Sequence, residues 1–143
     1  LARMQGFNVP ITSTITLNAA IRPEMYEFVT APIFYAIGIM GALTLIPEPV
    51  GYASIAILTL GDGFAMLLGR KIGRHVFSYN KGKRVEGTVF GFVFAFLGAS
   101  IFVSPLKALL GAAVGMVIES LPAPVSDNLT IPIISGLIMT MIP

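Results

Sequence analysis

The chain has no cysteine and no tryptophan, a single histidine, and few charged residues. Without cysteine it forms no disulfide and offers neither a thiolate nucleophile nor a thiolate metal site. One histidine excludes a metal site built from several histidines. Charged residues make up 11% of the 143 residues, whereas soluble domains contain about 25%. So few charges do not cover the surface of a soluble domain of this size.

Apolar residues, in contrast, make up 55% of the chain, and the mean hydropathy is +0.87. They form five blocks of about 14 to 20 residues, close to the ~20 that cross a bilayer core as a helix. Residues 5–21, which are mildly apolar and rich in threonine, are a candidate sixth span. The sequence therefore predicts an all-α fold, a polytopic integral membrane helix bundle of five to six spans, within a single membrane domain over residues 1–143. The five blocks are residues 28–46, 50–69, 88–104, 106–121 and 129–143.

Positive charge is concentrated in one loop, residues 70–87, between the second and third blocks. It carries six of the nine Lys/Arg residues, so the positive-inside rule predicts that this basic loop is cytoplasmic. Alternating the spans outward from it places six of the seven carboxylates at or near the same face, which favours an active site facing the cytoplasm. These are Glu24, Glu27, Glu86, Glu119 and Asp127, with Asp62 about two turns inside the membrane.

Asp62 lies within an apolar block, between Gly61 and Gly63. A carboxylate inside a span is costly unless it faces a partner or water, which marks Asp62 as a candidate functional residue. The alternative is a buried polar contact that holds two helices together.

The segment "KGKRVEGT", residues 81–88, combines cations, glycines, a carboxylate and a hydroxyl. Two interpretations are open for the cations: retention on the cytoplasmic side next to anionic lipid, or binding of a polyphosphate. Glu86 beside the cations favours the second, since it can hold Mg²⁺. Thr88 can bind a phosphate or cap the next helix.

A third polar element, "ESLPAPVSDN", joins the fourth and fifth blocks. Asp127 is a candidate helix cap, and Glu119, Asp127 and Asn128 together with Asp62 are also the oxygen ligands that Mg²⁺ prefers. The sequence has neither a P-loop nor a serine nucleophile elbow. Carboxylates, cations and glycines without a nucleophile predict Mg²⁺-assisted phosphoryl or nucleotidyl transfer.

In their order, these residues resemble those of the membrane-embedded CTP-dependent lipid kinases, the family of dolichol kinase, phytol kinase and yeast-type diacylglycerol kinase, related to phosphatidate cytidylyltransferases. The similarity covers roughly residues 24–140. The chain has Lys83-Arg84 and Glu86-Gly87-Thr88 where the family has Lys-Ser and Glu-Gly-Ser, and the family's earlier spans are expected to precede this sequence. The residues that carry the resemblance are Gly61, Asp62, Ala65, Gly69, Gly73, Lys83, Glu86, Gly87, Glu119, Asp127, Asn128 and Pro132.

The resemblance implies transfer of the γ-phosphate of CTP to the hydroxyl of a membrane lipid alcohol at the cytoplasmic face, with Mg²⁺ as cofactor and no nucleic-acid partner. Asp62, Glu86 and Asp127 are then the expected catalytic residues, and Asp62, Glu119, Asp127 and Asn128 the metal ligands. The nucleotide is expected to be bound by Arg70, Arg74, Lys83, Arg84, Gly87 and Thr88.

Three other functions are compatible with the sequence. A cytidylyltransferase would make a CDP-lipid from CTP and a lipid phosphate. An ion-coupled transporter would use Asp62 as its ion site, although the chain has no clear inverted repeat. A scaffold subunit would have little use for a carboxylate within a span.

Overall fold

The computed structural model describes the backbone of residues 23–143 and the side chains of residues 30–143. These residues fall into two units, which divide after Ile33. The described part of the first unit is the beginning of one helix, and the second, Phe34–Pro143, holds the remaining helices. The candidate span over residues 5–21 lies outside the described residues, as do the side chains of Glu24 and Glu27.

Within residues 23–143 the chain is helical and has no strand, apart from one isolated bridge between Val76 and Arg84. The predicted all-α class is confirmed for this part of the chain. Each of the five apolar blocks coincides with a helix. The helices are α1 (Pro23–Leu45), a continuous helix over residues 50–72, α4 (Val85–Ala99), α5 (Pro105–Ser120) and α6 (Asp127–Thr140); the continuous helix consists of α2 (Val50–Ala56), a π-helical segment (Ile57–Asp62) and α3 (Gly63–Ile72).

Proline and glycine separate these helices. Pro47 and Pro49 lie between α1 and α2, where each lacks the N–H that a helix interior needs. Gly73 follows α3 in an extended conformation and ends it. Pro105 occupies the first position of α5, where its missing N–H leaves no helical hydrogen bond unmade. The element boundaries thus follow from local backbone chemistry.

The basic loop is shorter than the predicted 70–87. Helix α3 continues through Arg70 and Lys71, which are good helix formers, and α4 begins at Val85. The irregular loop therefore covers residues 73–84. Two of the six cations project from the end of a helix rather than from a flexible loop.

Among the described residues, the helix over residues 50–72 is the one that is long and apolar enough to cross a membrane. Shorter apolar helices cover Thr30–Leu45 and Val85–Ala99. Helices α5 and α6 have 16 and 14 residues, and a rise of about 1.5 Å per residue makes each shorter than a bilayer core of about 30 Å. The number of spans stays a prediction.

Small residues allow helix 50–72 and α4 to pack closely. They recur every four residues on both helices, at Gly61, Ala65 and Gly69 on one and at Gly87, Gly91 and Ala95 on the other. A Cβ added at Gly91 would lie 2.6 Å from the Gly61 carbonyl oxygen, and one at Gly87 would lie 2.8 Å from the Cα of Gly69. The two backbones are therefore in direct contact. This crossing places the end of α3 beside the start of α4, where the polar residues of the site lie.

Candidate functional site

Three carboxylates converge on the ammonium group of Lys83. Its Nζ lies 2.8 Å from Oε1 of Glu119, 2.9 Å from Oδ2 of Asp127 and 3.7 Å from Oδ1 of Asp62. Thr88 donates a hydrogen bond of 3.0 Å from its hydroxyl to the second oxygen of Glu119. We call Asp62, Lys83, Thr88, Glu119 and Asp127 the acidic cluster. It joins five of the residues that the sequence marked as functional.

Two carboxylates of the acidic cluster lie at helix ends, and the third lies within helix 50–72. Asp62 is the last residue of the π-helical segment, Glu119 lies in the last turn of α5, and Asp127 opens α6. Lys83 comes from the basic loop, two residues before α4 begins. Residues far apart in sequence therefore meet because the end of α5 and the start of α6 lie beside the middle of helix 50–72. The cluster depends on the packing of the whole second unit.

The members of the cluster differ in their exposure. The Glu119 side chain is 2% exposed, that of Asp62 13%, that of Lys83 27% and that of Asp127 31%. The site is closed around Glu119 and open to solvent at Asp127 and Lys83. A molecule from solution reaches it from that side.

Burial alone would lower the pKa of Lys83, but the charges of Asp127 and Glu119 and their hydrogen bonds raise it above its ordinary value. Lys83 therefore stays charged. Three carboxylates and one ammonium leave a formal charge of −2. The site thus has unneutralised negative charge, which attracts a further cation.

Asp127 is the first residue of α6 and not its cap, because the N-cap position is held by Ser126. Its Oδ1 accepts a 3.0 Å hydrogen bond from the backbone N–H of Asn128 at the start of α6, while Oδ2 contacts Lys83. Asn128 thus lies next to the cluster through its backbone. The Asn128 carbonyl packs against Gly38 of α1, where no Cβ would fit.

Hydrogen bonds that the sequence analysis missed hold the loop over the cluster. Asn80 donates from its side chain to the carbonyl of Ser120 at 3.0 Å, and the Tyr79 hydroxyl donates to the Ser120 hydroxyl at 3.3 Å. The Asn80 side chain also accepts from the N–H of Gly82, which forms a tight turn before Lys83. The signal was present in the sequence, because Asn followed two residues later by Gly is typical of such turns.

Glu86 faces away from the acidic cluster. Its carboxylate lies 2.6 Å from Nδ1 of His75 and accepts the backbone N–H of the same histidine at 3.1 Å on each oxygen. It therefore connects the beginning of the basic loop to the first turn of α4. In this structure the predicted catalytic carboxylate Glu86 joins the two ends of the loop.

These hydrogen bonds change the acidity of Glu86. The bond from its own backbone N–H, followed by those of His75 and Arg74, lowers the pKa of Glu86 from 4.5 to about 2, against a partial desolvation that raises it. Because the folded-state pKa is the lower one, the contact stabilises the fold above about pH 4.5, and that stabilisation is lost as the pH falls towards 2.

We therefore expect the melting temperature of the wild-type protein to fall between pH 4.5 and pH 2 more steeply than that of Glu86→Gln, in the same detergent. His75→Ala removes one donor and should give an intermediate slope. Parallel curves for the wild type and Glu86→Gln would contradict this role for Glu86.

The remaining predicted nucleotide ligands do not join the cluster. Arg70 and Arg74 are exposed, and no side chain among residues 30–143 pairs with either. Arg84 is exposed and donates at 3.4 Å to the carbonyl of Gly73. Gly87 is buried in the helix crossing against Gly69. The exposed arginines are thus placed to bind a solution anion, whereas Gly87 lets two helices approach closely.

The oxygen donors of the acidic cluster have the chemistry of a magnesium site. Carboxylates are the ligands that Mg²⁺ prefers, and without the ammonium of Lys83 the three carboxylates carry a formal charge of −3, which attracts a divalent ion. Yet no three His, Cys, Asp or Glu side chains in the described part of the chain are arranged to hold a metal. The ammonium of Lys83 lies between the carboxylates instead. The donor set fits the ion, and Lys83 takes the position of the cation.

An apolar groove runs along the helix that carries Asp62. Its volume is about 530 Å³, within the range of small-molecule sites. On helix 50–72 its lining extends to Leu60, which precedes Asp62 by two positions and lies in the π-helical segment. Such segments are frequent at functional sites because they change the direction of side chains. The groove is lined by Tyr52, Ile55, Ala56, Thr59, Leu60 and Phe102.

Fold and site together define an apolar helical protein with an acidic, partly exposed cluster and an apolar groove that share helix 50–72. Comparison with known proteins finds relatives named as lipid-alcohol kinases. The chain is 30% identical over 134 residues to the "Probable phytol kinase 3, chloroplastic" of Glycine max, and 24% identical over 149 residues to the "Phytol kinase 1, chloroplastic" of Arabidopsis thaliana. It is 28% identical over 129 residues to the "Farnesol kinase, chloroplastic" of Arabidopsis thaliana.

These alignments cover 81%, 91% and 78% of this chain, and 42%, 49% and 42% of the respective relatives. The chain thus spans less than half the length of the curated relatives that it matches. No family model matches it, and no solved structure does. The chain is a homologue of the phytol and farnesol kinases over most of its own length, which confirms the family resemblance inferred from the motifs.

Proposed function

We propose that this chain transfers the γ-phosphate of CTP to the hydroxyl of a membrane lipid alcohol, with Mg²⁺, on the cytoplasmic side of the membrane. The observation that carries the proposal is the convergence of Asp62, Glu119 and Asp127 on Lys83, with an apolar groove along the same helix that carries Asp62. Such a site offers both negative charge for a metal and an apolar surface for a lipid. The names of the homologues favour an isoprenoid alcohol.

In this proposal the lipid lies along the groove with its hydroxyl at Asp62. The groove follows helix 50–72, so an alkyl chain in it would run along the helix. Asp62 is 13% exposed and follows the groove residue Leu60 by two positions; in the proposal it accepts the proton of the hydroxyl. The hydroxyl oxygen then forms a bond with the γ-phosphorus of the nucleotide, the bond to the bridging oxygen breaks, and CDP leaves.

The triphosphate binds on the solvent side. In the proposal, Lys83 and the exposed Arg70, Arg74 and Arg84 supply the positive charge that binds it. The three arginines have no ion pair within residues 30–143, whereas Lys83 contacts the carboxylates of the cluster. Glu119, Asp127 and Asn128, together with Asp62, would hold Mg²⁺, which when bound neutralises phosphate charge. The burial of Glu119 gives that ligand a fixed position, which positioning of a phosphoryl group requires.

The test is phosphate transfer by the purified chain in lipid nanodiscs, from γ-labelled CTP onto phytol, farnesol, dolichol and diacylglycerol. We expect label on a lipid alcohol together with release of CDP, and less label when ATP replaces CTP. Pyrophosphate and a CDP-lipid made from a lipid phosphate would identify a cytidylyltransferase instead. Ion-driven uptake without nucleotide turnover would identify a transporter.

The same assay tests the groove. Ala56→Trp places a large side chain in it, and we expect a higher KM for the lipid alcohol with an unchanged KM for the nucleotide. The matched control is Leu67→Trp on the same helix, where the native side chain is 59% exposed and lies outside the groove. Equal effects of both substitutions on the KM for the lipid alcohol would mean that the groove does not bind the lipid.

A further inference from the structure

The ammonium group of Lys83 occupies the position among the three carboxylates where a divalent cation would bind. Its Nζ is within 3 Å of Glu119 and Asp127, and within 4 Å of Asp62. A metal ion bound to the same three carboxylates would meet the ammonium at short range, where two positive charges repel strongly. The ion and the ammonium group therefore cannot both hold this position.

We propose that Lys83 is an internal counter-ion that the metal must displace, so that metal and nucleotide bind together rather than one after the other. The inference rests on the proposed function. The four-carbon stem of Lys83 lets the ammonium move without moving the loop, whose backbone is held by Asn80 and Ser120. Phosphate oxygens on the solvent side offer the displaced ammonium new partners. A metal ion without nucleotide brings no such oxygen partners for the ammonium group.

Several features of the cluster fit this exchange. The Lys83 side chain is 27% exposed, so one side of it faces solvent, whereas Glu119 beneath it is 2% exposed. Glu119 also accepts a hydrogen bond from Thr88, which does not involve Lys83. Asp127 likewise accepts one from the backbone N–H of Asn128. These two carboxylates thus have a partner besides the lysine that neutralises them.

The test measures binding of Mn²⁺ alone, by electron paramagnetic resonance of the free ion, with no nucleotide and no lipid substrate. The wild-type protein in nanodiscs is expected to bind Mn²⁺ weakly. Lys83→Met removes the charge while keeping a similar length, and should raise the affinity by about tenfold or more. Lys83→Arg keeps the charge and should bind as weakly as the wild type.

The matched control is Lys81→Met, which removes the same charge from the same loop. Lys81 is exposed and makes no ion pair with residues 30–143, so the affinity for Mn²⁺ should stay within about twofold of the wild type. Tight binding of Mn²⁺ by the wild type, or an equal gain in Lys81→Met and Lys83→Met, would overturn the proposal. Since the wild type alone can give the first result, the test holds even where Lys83→Met does not fold.

The result separates this inference from the proposed function. A gain in Mn²⁺ affinity in Lys83→Met supports the counter-ion even where no lipid is phosphorylated. If the wild type transfers phosphate and also binds Mn²⁺ tightly without nucleotide, the proposed kinase function stands and the counter-ion role of Lys83 is wrong.

Discussion

Asp62→Asn is expected to lower the rate of phosphate transfer to the lipid alcohol by about 10²–10⁴-fold, the range that a positioned general base contributes. The amide has nearly the same size as the carboxylate, but it cannot accept the proton of the hydroxyl. Asp62 is also the most distant of the three carboxylates from Lys83, at 3.7 Å. Its replacement therefore leaves the closer contacts of Lys83 with Glu119 and Asp127 in place, and the protein should still fold.

The measurement is kcat and KM for Asp62→Asn beside Asp62→Glu, together with the melting temperature of each. A base role predicts a loss in kcat and partial recovery in Asp62→Glu, which keeps a carboxylate. The KM for the nucleotide stays unchanged if Asp62 acts as the base alone and rises if it also holds Mg²⁺. If Asp62→Asn kept more than about a tenth of the wild-type kcat, Asp62 would be a structural contact between helices.

Gly91→Ala is expected to destabilise the protein by about 1–3 kcal/mol, the usual cost of overpacking a closely packed interior. The added Cβ would lie 2.6 Å from the Gly61 carbonyl oxygen, 2.8 Å from the Cβ of Ala65 and 2.9 Å from the sulfur of Met116. Backbone atoms cannot turn away as a side chain can. Helix 50–72 and α4 must move apart, which also shifts Asp62, the residue that follows Gly61.

Gly63→Ala is the matched control on the neighbouring helix. A Cβ at Gly63 meets nothing within 4 Å, so only the helix propensity changes, and alanine is preferred by about 1 kcal/mol. In the same detergent, the melting temperature should therefore fall for Gly91→Ala and rise for Gly63→Ala. A decrease of similar size in both would mean that the glycines matter for backbone flexibility rather than for close packing.

The helices were predictable because they depend on local properties of the chain. Apolar blocks bounded by Pro47, Pro49, Pro105 and Pro122 predict where helices lie, and the structure has a helix in each block. Their ends differ from the prediction by a few residues, since propensity and capping set the last turn. The extension of α3 through Arg70 and Lys71 is such a difference.

The partners of the polar side chains were only partly predictable. Asp62, Glu119 and Asp127 could be selected because each is a rare carboxylate beside or within an apolar block. Glu86 looks equivalent in sequence, yet its carboxylate bonds to His75. The difference depends on the path of the basic loop and on the rotation of α4 about its axis. Neither is encoded in the spacing of residues along the chain.

By itself the sequence determined the helical class, the positions of the helices and the short list of residues able to do charged chemistry, because hydropathy, proline and glycine act locally. The tertiary structure decided which of those residues meet. It placed Lys83 among three carboxylates, turned Glu86 towards His75 and buried Gly87 against Gly69. These contacts join positions up to 44 residues apart, so they follow from how the helices pack.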